Sequence, residues 1–453
     1  MKHKKWYVLF AFVAILALLA ACAPAAPAAE EAPAAEEAEE APAAEEAEEE
    51  AEEAPAEEAA EPVTITYTHY AGSGEYDINM VEKFMEENPD IIVEINEVPG
   101  EESFNKILLQ QQGGSMPDVF WSHWVLAAAT SEMAIPLDDL IEASGGQAFR
   151  DRFVNSAWDF VTWNGETYGV QWRDGASVAY FNKNLLDKAG LEVPSEWTWD
   201  DLLEIAQAMT DADAGVYGIG LAGSATAPAT EWAYWPFLLQ AGGKILDENN
   251  QAAFNSPEGV EALQFLVDLV NEYEVAPPGT ASNDINQIID LFVADKVGFW
   301  FDGPWYIGIM RATYPDAEVL VAPMPKYKTQ GSIAGGTAMC ISSQSEHPEE
   351  AWRLVEFLTS DDVLAGWAEE FQHIPPNVAA YELDYLVNDP GFAAAVVQSK
   401  HPDTVSANHY PETDALNQIM RTYLQAAYLE EMTPQEALDA AAAEWNEILV
   451  QYK

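Results

Sequence analysis

The pattern of apolar and polar positions predicts alternating strands and helices from residue 63 onward. "VTITYTHY" and "IIVEINEVP" alternate as half-buried strands do, and between them Met80, Val81, Phe84 and Met85 are spaced along one helical face. "FNKILLQQQGG" predicts a helix that ends at glycine, and "PDVFWS" predicts a short strand. This strand–helix–strand alternation predicts an α/β lobe with a largely parallel sheet.

The same alternation continues beyond Trp172. Strands are predicted at "SVAYFN", "YGIGLAG" and "VGFWFD", and helices at "WTWDDLLEIAQAMT", 231–241, 257–272 and "INQIIDLFVADK". "EVLVAPMP" predicts a strand that leaves this region, "TAMCIS" predicts another strand, and the remainder from residue 348 onward is almost wholly helical. Residues 63–453 are too many for one core, so the chain is expected to form two lobes.

The N-terminus predicts export and lipid attachment. Three lysines precede a short apolar run, which ends in "LAAC" at Cys22. A run this short is typical of a signal peptide and is too short to span a membrane. The box resembles the bacterial lipoprotein signal, in which the cysteine is acylated and becomes the new N-terminus. We therefore expect a signal peptide over 1–21 and a lipid anchor at Cys22; an ordinary signal peptide with an incidental cysteine is the alternative.

The segment after Cys22 predicts a solvated tether over residues 22–62. Residues 23–62 contain only Ala, Glu and Pro, with 16 glutamates and no Lys or Arg. Like charges repel, and prolines interrupt helices, so a packed domain is not expected there. Residues 63–453 carry 61 Asp and Glu against 16 Lys and Arg. Such a surface repels nucleic acid and anionic headgroups and disfavours polyanionic ligands.

Catalytic and metal-binding motifs are absent from the sequence. It contains no Gly-x-Ser-x-Gly elbow, phosphate loop, dinucleotide fingerprint or His-Glu-x-x-His pair. The histidines have no ligand spacing, and Cys340 in "TAMCIS" is predicted to be a buried small hydrophobe. We predict neither a metal nor a cofactor. Paired carboxylates, as a glycoside hydrolase requires, stay open in so acidic a chain.

Tryptophan is the residue type that points to a ligand. Fourteen of the 15 tryptophans follow residue 62, several of them paired at the ends of predicted elements in "PDVFWSHW", "TEWAYWPF" and "FWFDGPWYIG". Sugar faces stack on aromatic rings, while their hydroxyl rims need carboxylates, amides and backbone groups, so these pairs favour a neutral carbohydrate cleft. The alternative is that the rings form core. Trp300, between Phe299 and Phe301, is more typical of core than of a cleft.

Six segments carry a resemblance to a known family. In chain order they are "PDVFWSHW", "TYGVQWRDGASVAYFNKNLL", "EWAYWPFLLQAGG", "ADKVGFWFDGPW", "SIAGGTAMCIS" and "HPEEAWRLVEFLTS". Together they resemble the family 1 extracellular solute-binding proteins of bacterial ABC importers, the group that includes maltose-binding protein. The resemblance implies a two-lobed periplasmic-binding-protein fold, in which each lobe is a mostly parallel sheet flanked by helices, with crossover hinge strands. The implied lobes are 63–172 plus 322–362 and 173–321 plus 363–453, with hinges near 172–174, 319–323 and 360–375.

The resemblance also implies a set of site residues. Trp121, Trp232, Trp235 and Trp305 are expected to stack on sugar rings, and Asp174 to accept hydrogen bonds from sugar hydroxyls. The further candidates carried over in this way are Gly335, Gly336, Thr337, Glu75, Trp172 and His373. Gln171 stands where the family often has proline, and Trp124 stands where a polar sugar contact is often found.

The expected function is a non-enzymatic, substrate-binding lipoprotein that captures a neutral sugar or oligosaccharide and delivers it to the ABC permease. We expect a monomer that touches the membrane only through its lipid anchor and has no nucleic-acid partner. One alternative keeps the fold but binds a polyol, a glycosylated compound or a polyamine, for which Asp174 and Asp302 are the obvious acids. An organophosphate is disfavoured because the motif segments contain few basic residues beyond Arg173. The other alternative is a cell-surface glycoside hydrolase.

Overall fold

The computed structural model describes residues 61–71, 75–99, 103–407 and 410–452, which belong to the unit Ala60–Lys453. The predicted signal peptide, Cys22 and all but the last two residues of the tether lie outside the described residues. The strands are β1 (Val63–Ala71), β2 (Ile91–Pro99), β3 (Val119–Ser122), β4 (Thr162–Trp163), β5 (Glu166–Thr167), β6 (Val170–Arg173), β7 (Val178–Asn182), β8 (Tyr217–Ile219), β9 (Val297–Asp302), β10 (Val319–Pro323), β11 (Ser332–Ala334), β12 (Thr337–Ile341) and β13 (Thr404–Ser406).

Helices follow most of these strands, as the sequence pattern predicts. They are α1 (Tyr76–Glu87), α2 (Ser103–Gly113), α3 (Val125–Thr130), α4 (Asp138–Ala143), α5 (Gln147–Arg150), α6 (Asn155–Val161), α7 (Lys183–Ala189), α8 (Trp199–Met209), α9 (Ala229–Gln240), α10 (Pro257–Asn271), α11 (Ile285–Val293), α12 (Trp305–Thr313), α13 (Pro348–Leu358), α14 (Asp361–Phe371), α15 (Asp384–Asn388), α16 (Pro390–Ser399), α17 (Thr413–Tyr428) and α18 (Pro434–Leu449). Thr198 caps α8 through its side chain, which accepts from the backbone N–H of Asp201. None of the described helices combines the length and the apolar composition that a membrane span needs.

Two larger sheets organise the described residues, beside the two-stranded pairs β11-β13 and β4-β5. The first has the order β2-β1-β3-β12-β6, and the second has the order β10-β7-β9-β8. Strands β2, β1 and β3 run parallel, as do β8 and β9, whereas β12 is antiparallel to β3 and β6, and β7 is antiparallel to β9 and β10. The α/β class and the mostly parallel sheets are confirmed, because four of the five strands in the first sheet and three of the four in the second point in one direction. One strand in each sheet is opposed, β12 in the first and β7 in the second, and each is the strand by which the chain enters that sheet from the other.

Both faces of each sheet are covered by apolar packing. In β7, Val178 and Tyr180 face one hydrophobic core, while Ala179 and Phe181 face another. In the first sheet, Trp121 and Phe120 likewise point into different cores. This two-sided burial explains why these strands read as continuous apolar runs rather than as alternating ones.

The chain passes between the two sheets at a few short segments. Four residues join β6 to β7, and the return passes through β10, β11 and β12. Asp174, in the first crossing, forms an isolated β-bridge with Ile374, which follows α14. Because Val363 and Trp367 of α14 pack in the core of the first sheet, that helix belongs with the first sheet rather than with the second. The lobe boundaries and hinges named above stay predictions.

Candidate ligand-binding site

A cavity of about 340 Å³ lies where strand ends of the first sheet face two helices that flank the second. Its described walls are formed by His123, Arg173, Asp174, Trp232, Trp305, Ile309, Gly335, Gly336 and His373. A larger cavity, of about 400 Å³, lies beside Asn182 and Asp316, and no described residue of its lining is a tryptophan. Tryptophan rings and polar groups converge at the cavity of about 340 Å³, which we take as the candidate site.

One wall of the cavity, the polar wall, is formed by the ends of strands in the first sheet and by the segment after α14. His123 directly follows β3, Arg173 ends β6, and Asp174 comes next. A β-carbon on Gly336 would lie 1.8 Å from the Arg173 carbonyl oxygen, so only glycine lets these two backbones approach this closely. His373 follows α14 and donates its backbone N–H to the Ala368 carbonyl oxygen at 2.8 Å.

Asp174 places a buried carboxyl at the centre of the polar wall. Its backbone N–H donates to the Ile374 carbonyl oxygen at 3.3 Å, and its Oδ1 accepts from Gln171 Nε2 at 3.4 Å. Its Oδ2 is buried and has no hydrogen-bond partner among the described residues. Burial raises the pKa of Asp174 to about 7, although hydrogen bonds from Gly175 and Gln171 lower it in part. The site thus holds an acceptor oxygen that a ligand hydroxyl could satisfy.

The two histidines of the polar wall are held in the neutral form. Burial, with the Arg173 guanidinium as the second cause, lowers the pKa of both His123 and His373 to about 3. His123 Nδ1 lies 3.2 Å from the Gly336 carbonyl oxygen, so this nitrogen carries the proton and donates. The His373 ring stacks on Trp367 at 5.1 Å between ring centroids. Arg173 is consequently the single cation of the described lining at neutral pH.

The opposite wall, the aromatic wall, is a corner made by Trp232 and Trp305. Trp232 lies in the first turn of α9, Trp305 begins α12, and their ring centroids are 5.4 Å apart with the planes tilted by 59°. A β-carbon on Gly335 would lie 2.7 Å from the Trp232 ring, so that ring lies against bare backbone. Trp232 Nε1 is buried and has no partner among the described residues. The corner therefore offers two ring faces and one hydrogen-bond donor.

Comparison with known proteins identifies the family. The sequence model of the bacterial extracellular solute-binding proteins matches residues 69–365. The chain belongs to this family. This solute-binding protein is 30% identical to a solved ABC-transporter solute-binding protein from Thermotoga lettingae bound with α-D-tagatose; the match covers 85% of this chain and 100% of the other, with a TM-score of 0.72. That match confirms the two-lobed fold.

Two curated relatives extend the comparison. An arabinooligosaccharide-binding protein from Bacillus subtilis is 24% identical over 84% of this chain and 91% of its own length. A mannitol-binding protein from Pseudomonas aeruginosa is 27% identical over 64% of this chain and 71% of its own. The relatives are binding proteins, and the family is extracellular, which places the function of this solute-binding protein outside the cytoplasm.

Six of the residues that sequence reasoning selected line the cavity. They are Asp174, Trp232, Trp305, Gly335, Gly336 and His373. The structure brings them together from both sheets and from five separate stretches of chain. Their roles toward a ligand stay predictions.

Three other candidates lie behind the polar wall rather than in it. Trp121 is 3% exposed and donates from Nε1 to the Tyr67 hydroxyl at 2.7 Å, while its ring packs on Trp172 at 5.6 Å. Trp172 and Thr337 are fully buried. Strand β3 is buried along its whole length, so the ring that sequence reasoning assigned to the cleft points into the core. Trp121 therefore has no exposed face on which a sugar could stack.

Trp235 and Glu75 also lie outside the cavity lining. Trp235 is 1% exposed and packs against Tyr234, Phe254 and Trp445 in the core, so its ring presents no exposed face to the cavity. Helix α9 is buried on nearly all sides, and its pattern therefore did not reveal which tryptophan faces the cleft. Glu75 is exposed at the N-terminus of α1, and its side chain makes no capping hydrogen bond.

Sequence reasoning missed His123, Arg173 and Ile309 as lining residues. His123 stands two positions after Trp121 in "PDVFWSHW", just past the end of the buried strand, and that position was the available signal. Ile309 lies one turn after Trp305 on α12, a spacing that places both on one helical face. Among the described residues, no group of three His, Cys, Asp or Glu side chains could hold a metal ion.

Proposed function

We propose that this solute-binding protein captures a neutral sugar or small oligosaccharide in the cavity and delivers it to the permease of an ABC importer. One observation carries the proposal: a corner of two tryptophan rings faces a wall with a buried, unpartnered carboxylate oxygen. Ring faces suit the C–H faces of a sugar, while Asp174 Oδ2 and Trp232 Nε1 suit its hydroxyls as acceptor and donor. The names of the tagatose-bound and arabinooligosaccharide-binding relatives support this ligand class.

The size of the cavity favours a short ligand. Ligand pockets span about 300 to 1,000 Å³, and a volume of about 340 Å³ lies near the lower end of that range. The 59° tilt between the Trp232 and Trp305 planes makes a corner rather than a flat platform. We therefore propose one or two sugar rings in the enclosed part of the site, rather than a long chain.

The charges that line the cavity favour a neutral ligand over a polyamine. A polyamine needs several acids among the aromatic rings, and Asp174 is the one carboxyl in the described lining. The other candidate acid, Asp302, does not line the cavity, and its Oδ1 accepts a hydrogen bond from the Gly303 N–H at 2.7 Å. A polyol is the second candidate, because it presents the same hydroxyls and one relative is a mannitol-binding protein.

We infer binding without chemistry. Glycoside hydrolysis uses two carboxyl groups on either side of the scissile bond, and the described lining offers Asp174 alone. Hinge bending about the crossing segments would close the two lobes over the ligand, and the permease would respond to the closed form, which the ligand favours. We also propose that Cys22 carries the lipid that anchors the protein. Radiolabelled palmitate should enter the full-length wild type but not Cys22→Ala.

The test of function uses the Ala60–Lys453 unit, which contains all the hydrophobic cores described above. Its melting temperature is followed with D-tagatose, maltose, arabinose oligosaccharides and D-mannitol, and with spermidine and glucose 6-phosphate as charged controls. A ligand at a hundredfold excess over its Kd adds about 2.7 kcal/mol to the stability of the folded state. We expect a clear rise with one neutral sugar, which NMR shows to remain intact. A response to spermidine alone, or cleavage of the sugar, would contradict the proposal.

A further inference from the structure

We infer that Gln171 is a positioning residue: its side-chain amide donates to one oxygen of the Asp174 carboxyl and thereby presents the other oxygen to the ligand. Gln171 lies on β6 and is not among the described residues that line the cavity. The inference rests on the proposed function, because it assigns to Gln171 a part in presenting the acceptor that a sugar hydroxyl would use.

A register shift in the first sheet accompanies the meeting of Gln171 and Asp174. Side chains three positions apart on a regular strand point to opposite faces of the sheet. Consecutive residues of β12 pair with Gln171 and Arg173, so Trp172 is one extra residue on β6. An extra residue of this kind bends a strand and redirects its side chains. The Gln171 amide and the Asp174 carboxyl accordingly lie within hydrogen-bond distance although they are three positions apart.

The amide of Gln171 is held between the Asp174 carboxyl and the backbone of Gly336. Its Nε2 donates to Asp174 Oδ1 at 3.4 Å. A β-carbon on Gly336 would lie 2.9 Å from the same nitrogen, so a side chain at this lining position would collide with the amide. Gln171 is 2% exposed and Asp174 is 3% exposed, so their contact is shielded from water. The nitrogen therefore lies against the backbone of the polar wall, where it can act on the carboxyl without touching solvent.

This contact divides the two oxygens of the Asp174 carboxyl between protein and ligand. The Asp174 backbone N–H donates to the Ile374 carbonyl oxygen at 3.3 Å, which fixes the main chain. Oδ1 accepts from Gln171, whereas Oδ2 is buried and has no hydrogen-bond partner among the described residues. A ligand hydroxyl that donates to Oδ2 would complete the carboxyl. Gln171 thus supplies the support that a precisely held binding group needs from the residues behind it.

The same contact bears on the charge of the polar wall. Burial raises the pKa of Asp174 to about 7, and the hydrogen bonds that the carboxyl accepts, including that of Gln171, lower it in part. A donor favours the ionised carboxyl, so loss of the Gln171 amide should raise the pKa of Asp174 further. The other titratable or charged groups around the carboxyl are three lining residues and one buried tyrosine: Arg173, His123, His373 and Tyr381.

The first test follows the Asp174 carboxyl and needs no ligand. The Ala60–Lys453 unit is labelled with ¹³C at its aspartate carboxyls, and Asp174→Asn identifies the Asp174 signal by its loss. In the wild type this signal should titrate with a midpoint near pH 7. Gln171→Met keeps a side chain of similar length but has no donor, so we expect the midpoint to rise by about 0.5 to 1 pH unit.

Gln147→Met is the matched control. It removes an exposed glutamine whose Nε2 donates to Asp151 at 2.7 Å, and it should leave the Asp174 midpoint unchanged. A midpoint that is identical in the wild type and in Gln171→Met would overturn the inference, because the amide would then have no influence on the carboxyl.

A second measurement does not depend on the folding of Gln171→Met. One glutamine side-chain amide of the ¹⁵N-labelled wild type should shift with the same midpoint as the Asp174 carboxyl, and Asp174→Asn should abolish that titration. Absence of any such amide would equally overturn the inference. Failure of every sugar to bind would instead contradict the proposed function and would leave both titrations in place.

A double-mutant cycle at pH 8 then connects the contact to binding, with D-tagatose as the probe. Gln171→Met should weaken affinity about fivefold in the wild-type background and leave it unchanged in the Asp174→Ala background, where there is no carboxyl to position. Equal losses in both backgrounds would show that Gln171 acts on the fold rather than through Asp174.

Discussion

The two walls of the cavity are built in different ways. On the aromatic wall, Trp232 and Trp305 lie against the bare backbones of Gly335 and Gly303, so close packing sets the shape of the site. On the polar wall, burial shifts the pKa values of His123, His373 and Asp174, so exclusion of water sets its charge. Because different forces build the two walls, we expect that the shape of the site can be altered without its charge, and its charge without its shape.

The largest effect is expected from removal of one face of the aromatic wall. Trp305→Ala should weaken sugar affinity by roughly thirtyfold or more, because a buried aromatic residue at the centre of a site commonly contributes about 2 kcal/mol or more. Isothermal titration calorimetry measures the sugar affinity. The control is Tyr273→Ala, which removes a partly exposed ring on the surface. Equal sugar affinity in wild type and Trp305→Ala would show that stacking on Trp305 does not contribute to binding.

The next effect concerns the charge of the polar wall. A sugar hydroxyl that donates to Asp174 binds the ionised carboxyl, so below a pH of about 7 the proton competes with the ligand. Affinity should therefore fall on acidification from pH 8, by up to about tenfold per pH unit below 7. Asp174→Asn should lose about tenfold at pH 8 and show a flatter profile. Parallel pH profiles in the two proteins would contradict the role of Asp174.

A smaller effect should follow from disturbing the shape of the aromatic wall alone. Gly335→Ala places a methyl group 2.7 Å from the Trp232 ring, so the ring has to move while every polar group stays. We expect affinity to fall about fivefold, with an unchanged pH profile. Gly113→Ala, whose β-carbon meets nothing closer than 3.6 Å, is the control. A changed pH profile in Gly335→Ala would show that the two walls are coupled.

The smallest effect is on stability without ligand. Asp174, Asp302 and Glu231 have raised pKa values in the folded state, so the unfolded chain releases their protons first and stability falls as pH rises. His123 and His373 oppose this trend below pH 6.5 but are neutral in both states above it. From pH 6.5 to 8.5, Asp174 and Asp302 should each cost roughly 1 kcal/mol and Glu231 roughly 2 kcal/mol, and Asp302→Asn should reduce the fall.

Thermal melts in 0.5 M NaCl measure this trend, since salt screens the acidic surface. A melting temperature that rises from pH 6.5 to 8.5, or an identical slope in Asp302→Asn, would show that these carboxyls are not buried in solution as they are in the structure.

The sequence predicted the aromatic wall only in part, because the hydrophobic pattern of its elements does not show which side faces the cavity. Trp305 follows a Gly-Pro turn at a strand end, and that setting pointed correctly to a cleft. Trp232 and Trp235 were selected together, but α9 is buried on nearly all sides, and an all-apolar pattern does not say which side of a helix faces a cavity. The orientation of Trp121 could not be predicted for the same reason, since β3 is buried on both faces.

The polar wall was harder to predict because its residues lie at strand ends that only the tertiary fold brings together. Asp174 and His373 are 199 positions apart, and an isolated bridge from Asp174 to Ile374 joins their segments. The helices and strands themselves were predicted well, because the apolar residues of each recur with a clear helical or strand periodicity. The one opposed strand in each sheet, β12 or β7, was not predicted, because its direction depends on the end of the sheet at which the crossing chain enters.

The most direct test of the central claim is the NMR chemical shift of the sugar protons on binding. Ring currents shift C–H protons that lie over an indole face upfield, so the bound sugar should show upfield shifts confined to one face of its ring. Trp305→Ala should abolish most of these shifts at saturating sugar, whereas Asp174→Asn should keep them. Binding with no upfield shift in the wild type, or with identical shifts in Trp305→Ala, would contradict a site in which the aromatic wall receives the sugar.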